Sequence, residues 1–73
     1  MSFSIRHSED SVYAGALEAW RDAEDRVRSR WEQFLAAERG ARKFAFAAYV
    51  AALDVEAAAA ADLASLVPVE LAA

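Results

Sequence analysis

Tyr13, Trp20, Val27 and Phe34 recur at every seventh position, and Ala16, Ala23 and Ala37 stand three residues after the first, second and fourth of them. A repeat of this kind lays an apolar stripe along one side of a helix. Leu17 and Trp31 widen the stripe, while Glu18, Asp25 and Glu32 mark the opposite side. The pattern predicts a helix over about residues 9–39, with Ser8 as its cap and Glu9 and Asp10 in a first turn that favours negative charge. Such a helix would be about 46 Å long at 1.5 Å per residue, too long to be buried inside a compact monomer of this size. Residues 1–7 alternate Phe3 and Ile5 with polar neighbours and read as a short edge strand or an arm laid across a partner. Three acid-first pairs spaced by four, Glu24 with Arg28, Asp22 with Arg26 and Glu38 with Arg42, would support the helix on its wet side. Arg30 falls on the apolar stripe, where it can lay its methylenes over Trp31 or Phe34 and keep its guanidinium in water; the alternative is a paired charge at a subunit contact.

Gly40 is the one candidate break between this helix and the next apolar segment, and a left-handed conformation there would end the helix and reverse the chain. A mild bend in one long helix is the competing reading. The second helix is expected over about 41–67, stopped by Pro68, with a tail at 68–73. One stripe on it runs through Phe46, Val50, Leu53, Ala57, Ala60, Leu63 or Ala64, and Val67; a second runs through Phe44, Ala48, Val55 and Ala59. The remaining strip of Ala47, Ala51, Asp54, Ala58, Asp62 and Ser65 is narrow. A helix apolar over so much of its circumference is normally covered on more than one side. Ala57–Ala61, five alanines in succession, would let a neighbouring helix approach closely while adding little apolar area.

The expected fold is therefore all-α: a single domain consisting of an antiparallel two-helix hairpin, dimerising into a four-helix bundle so that each helix gains two neighbours. The interface residues expected from the first helix are Tyr13, Trp20, Val27, Trp31 and Phe34. From the second they are Phe46, Val50, Leu53, Ala57, Ala60 and Leu63.

Size and charge sharpen this picture. A chain of 73 residues without cysteine is near the lower limit for an independent core and has no disulfide to assist it. All eight basic residues lie in the first 43 positions, balanced there by eight acids, so the net charge of −4 comes from the second half. That balance disfavours nucleic acid as a partner, since phosphate binding needs clustered positive charge. The strongest basic cluster, Arg39, Arg42 and Lys43 at the turn with Arg26, Arg28 and Arg30 behind it, comes without a short recognition helix. The first ten residues lack the apolar run of a secretory signal. Phe44–Leu53 is the longest uninterrupted apolar run of the second half, and Asp54, Glu56 and Asp62 then break it, so no membrane partner is expected and the cytoplasm is the expected location.

Candidate chemistry is sparse. His7 is the one histidine, and with Glu9 and Asp10 it makes only a loose cluster without metal-ligand spacing. Glu18, Asp22 and Asp25 could align as an acid ridge, but arginines surround them and they face away from the Trp20 stripe, which makes a solvated face rather than an acid–base pair. Two glycines cannot form a phosphate loop. No catalytic, cofactor-binding or metal-binding residue is expected, and the chain is read as a non-catalytic protein that acts by self-association or as an accessory subunit. A small regulator that neutralises a toxin or docks on a DNA-bound protein is the alternative partner reading. A ligand-binding or enzymatic dimer, with a pocket between subunits near Trp20, Arg30 and Trp31, comes third. In size, and in its Trp31-Glu32-Gln33 segment, the chain loosely resembles the small secreted helical hairpins with a W-x-G turn; the missing glycine at 33, and a tryptophan inside the expected helix, set it apart from them.

Overall fold

The computed structural model describes the backbone of residues 2–66 and the side chains of residues 11–66. Helix α1 spans Ser2–Ala36, a single 3-10 turn covers Arg39–Ala41, and helix α2 spans Arg42–Ser65. The chain is an all-α hairpin. Its direction follows from two ring contacts: Trp31 lies 5.1 Å from Tyr49 and Phe34 lies 5.5 Å from Phe46, so three steps forward along α1 match three steps back along α2. The molecule measures 58 × 26 × 13 Å. Its least dimension is about one helix diameter of 10–12 Å, so the hairpin is a single layer.

The seam between the helices has a regular four-three spacing. On α1 the least exposed positions include Ala16, Trp20, Ala23, Val27, Arg30 and Phe34, and on α2 they include Ala45, Tyr49, Ala52, Glu56, Ala59 and Leu63. Such spacing keeps one line of side chains facing the partner helix. Among the described residues only Ala23 and Ala52 are buried, at 4% and 5% exposure. The small methyls sit at the centre, and the larger groups splay to its sides. Four rings, Trp31, Phe34, Phe46 and Tyr49, form a continuous cluster at the turn end, with successive centroids 5.1–6.3 Å apart.

Three expectations need correction. Helix α1 starts at Ser2, so residues 2–7 are helical rather than an edge strand or an arm, and Ser8 lies within the helix instead of capping it. No glycine or proline interrupts positions 2–8, and the residues there have ordinary helix propensity. The helix also ends at Ala36, three residues early. Gly40 does not adopt a left-handed conformation, since no glycine among the described residues has positive φ. The reversal is made by Glu38, extended at φ −67°, ψ 158°, between two tight turns in which Ala37 N–H donates to the Phe34 carbonyl at 3.2 Å and Ala41 N–H to the Glu38 carbonyl at 2.9 Å. Every residue of that path has a conformation open to any L-amino acid. The break also removes the helical spacing that would have paired Glu38 with Arg42.

The phase of α2 differs as well. The expected stripe through Phe46 and Val50 is rotated away from the seam, leaving these residues 49% and 38% exposed. Tyr49 and Glu56 take seam positions instead. The predicted wet strip is exposed at every one of its positions, from Ala47 to Ser65. The helix closes with the Leu66 amide bonded to the Leu63 carbonyl at 3.1 Å and the Ser65 hydroxyl donating to the Asp62 carbonyl at 2.7 Å. The proposed stop at Pro68 and the tail lie outside the described residues.

Both glycines have open space where a Cβ would sit. Gly15→Ala and Gly40→Ala should therefore each raise stability, by about 0.4–1 kcal/mol, measured as an upward shift in the urea midpoint. A loss at Gly40 would show that the turn needs a left-handed residue after all.

Candidate functional site

A helix turns about 100° per residue, which assigns each position to a side of the seam. Tyr13, Leu17, Glu24, Trp31 and Leu35 fall to one side of α1. Because the helices are antiparallel, the same face of the hairpin is completed from α2 by Phe46, Val50, Leu53, Ala57, Ala60 and Ala64. The lining of a shallow groove of ≈ 320 Å³ agrees with this assignment, since Glu24, Val27, Arg28 and Trp31 meet Tyr49 and Glu56 there. On this face Tyr13 is 43%, Trp31 41% and Leu35 59% exposed. It is apolar along most of its length, with Glu24, Arg28 and Glu56 as its charged groups.

The opposite face is more polar on its α1 side. Arg26 and Arg30 line a groove of ≈ 210 Å³ with Ala48, Ala51, Ala52 and Val55, and the Arg30 Nη1 donates to Gln33 Oε1 at 2.9 Å. The Arg30 stem thus runs beside the alanines of α2, and not over Trp31 or Phe34 as expected, while its guanidinium reaches outward to Gln33. Phe44, 74% exposed, and Val55, 52% exposed, stand on the α2 side of this face.

The eleven expected interface residues divide into two groups. Trp20, Val27, Phe34 and Leu63 lie at or near the seam between the two helices of one chain. Tyr13, Trp31, Phe46, Val50, Leu53, Ala57 and Ala60 lie on the apolar face beside it. Trp20, Arg30 and Trp31 do not converge within one chain, because Arg30 and Trp31 open onto opposite faces. The acid ridge of Glu18, Asp22 and Asp25 is exposed. Arg28 pairs with Asp25 at 3.6 Å, both side chains more than 70% exposed, in place of the expected pairing with Glu24; an exposed pair of this kind contributes at most about 1 kcal/mol. Arg39, Arg42 and Lys43 are exposed around the turn. Among the described residues no cluster of His, Cys, Asp and Glu could hold a metal ion; the side chains of His7, Glu9 and Asp10 lie outside the described set.

Two features went unread in the sequence. The first is Glu56, a half-buried carboxylate on the seam, signalled by a seven-residue repeat of Tyr49, Glu56 and Leu63 beside Ala45, Ala52 and Ala59. The second is the Trp20 Nε1, which is shielded from solvent and has no hydrogen-bond acceptor, an arrangement that costs about 1–3 kcal/mol. By length and composition, Arg39–Ser65 could also cross a membrane, with mean hydropathy 1.5. Asp54, Glu56 and Asp62 point to three different sides of that helix, and an Asp near the middle of a span costs about 2.5–3.5 kcal/mol. The chain matches no protein-family model, no curated protein and no solved structure.

Trp20→Phe removes the orphan donor at the cost of some ring area, so its unfolding free energy should stay within about 1 kcal/mol of the parent. A loss above about 2 kcal/mol in the same denaturation measurement would show that Nε1 finds a partner in solution.

Proposed function

We propose that this chain is a non-catalytic helical protein that works by association, with a second copy of itself as the partner, two hairpins completing a four-helix bundle. One observation carries the reading: among the described residues two alanines are buried, while nine large apolar side chains, from Val12 to Leu66, are 38–74% exposed. Apolar area left in water contributes nothing to folding. A second layer of helices would cover the wide face of a molecule 13 Å thick, which the chain's own two helices cannot do. Protein suits the carboxylates of α2 better than lipid does, because a neighbouring chain can bring cationic side chains to them. A cytoplasmic setting goes with this reading.

Sedimentation equilibrium at micromolar concentration should give twice the chain mass of 7.9 kDa. A folded monomer at every concentration would overturn the proposal, and so would quantitative flotation of the protein with neutral lipid vesicles.

A further inference from the structure

The apolar face is unequal along its length. Its α2 half carries the bulky Phe46 and Val50 toward the turn and Ala57, Ala60 and Ala64 toward the far end, while its α1 half is bulky at both ends, with Trp31 and Leu35 at one and Tyr13 and Leu17 at the other. A helix that is bulky at one end and low at the other complements a second copy of itself only when that copy is inverted. The charges of the face obey the same rule. The ring contacts, which place Trp31 level with Tyr49 and Phe34 level with Phe46, put Glu24 and Glu56 at one level and Arg28 about 6 Å above it at 1.5 Å per residue. Glu24, Glu56 and Arg28 all line the groove on this face.

We propose, resting on the self-association read above, that the occupant of this face is an inverted second copy, related by a two-fold axis perpendicular to the helices and crossing at the level of Arg26 and Asp54. That axis exchanges the levels of residues 24 and 28. Such an axis stacks α1 on α1 and α2 on α2, so Arg28 of the second copy then meets Glu24, and by symmetry the contact forms twice. Phe46 and Val50 of the second copy fall at the levels of Asp62 and Ala58, where Ala57, Ala60 and Ala64 leave room for them. A two-fold axis along the helices would instead set Glu24 against Glu56, like against like, and bulky residues against bulky residues. The exposed pairing of Arg28 with Asp25 is too weak to hold the guanidinium back.

The test is a charge exchange read by sedimentation velocity, with helicity followed by circular dichroism. Arg28→Glu alone places two acids at each contact and Glu24→Lys alone places two bases, so each should raise the dimer dissociation constant about 100-fold. Mixed in equal amounts, the two variants can form both contacts with opposite charges, and the mixture should dimerise within about threefold of the parent. Should either variant lose its helicity alone, the same mixture should recover it. Variants that each dimerise like the parent, or a mixture no better than its components, would overturn the inverted pairing while leaving self-association intact. A monomeric parent chain would remove both.

Discussion

Two helices that touch along one seam can bury only what lies on that seam, and here the residues closest to its centre are Ala23 and Ala52. This constraint shapes everything else. Small side chains let the backbones approach closely, and close approach pushes each neighbouring large side chain to one side or the other of the hairpin. Trp31, Leu35, Phe46 and Val50 therefore end on a common face instead of in a core. A well-packed interior normally surrounds each core residue with several others, which a single layer of two helices cannot provide.

The exposed face and the small buried core of the described residues are two aspects of one arrangement. Were α2 built with leucines on its seam, the helices would stand further apart and the hairpin would hold more apolar area between them. Alanine gives up that area in exchange for helix propensity and proximity. On the proposed reading the area is recovered between chains, where Ala57, Ala60 and Ala64 leave room for aromatic groups. Arg30 and Glu56 fit the same logic: charged groups on a thin seam can still reach water or a second chain, which they could not do from the middle of a thick core.

Helix α1 was legible in the sequence because its two sides differ sharply. Trp20, Val27 and Phe34 face Glu18, Asp25 and Glu32 across the helix axis, and that contrast fixes the phase. Helix α2 offered no such contrast. With alanine on nearly every side, large residues drew the predicted stripe to Phe46 and Val50, whereas the seam follows Ala45, Ala52 and Ala59 with Tyr49, Glu56 and Leu63. The missing physical rule was that alanine can line a seam, because its methyl lets a neighbouring helix approach closely. The turn was misread for a related reason. Glycine suggested a left-handed reversal, but a single extended residue, Glu38, reverses the chain with ordinary dihedrals. The side of the hairpin on which each exposed residue falls depends on the phases of both helices together, and so could not be read from either alone.

If the hairpin has its core only in company, its folding and its assembly are one equilibrium, and dilution should unfold it. The most direct measurement is far-ultraviolet circular dichroism at fixed temperature over a hundredfold range of protein concentration. The account predicts that helicity falls on dilution and that the thermal midpoint falls with it. Helicity and midpoint that hold constant across the whole range would show that the hairpin is stable alone, and would contradict the account.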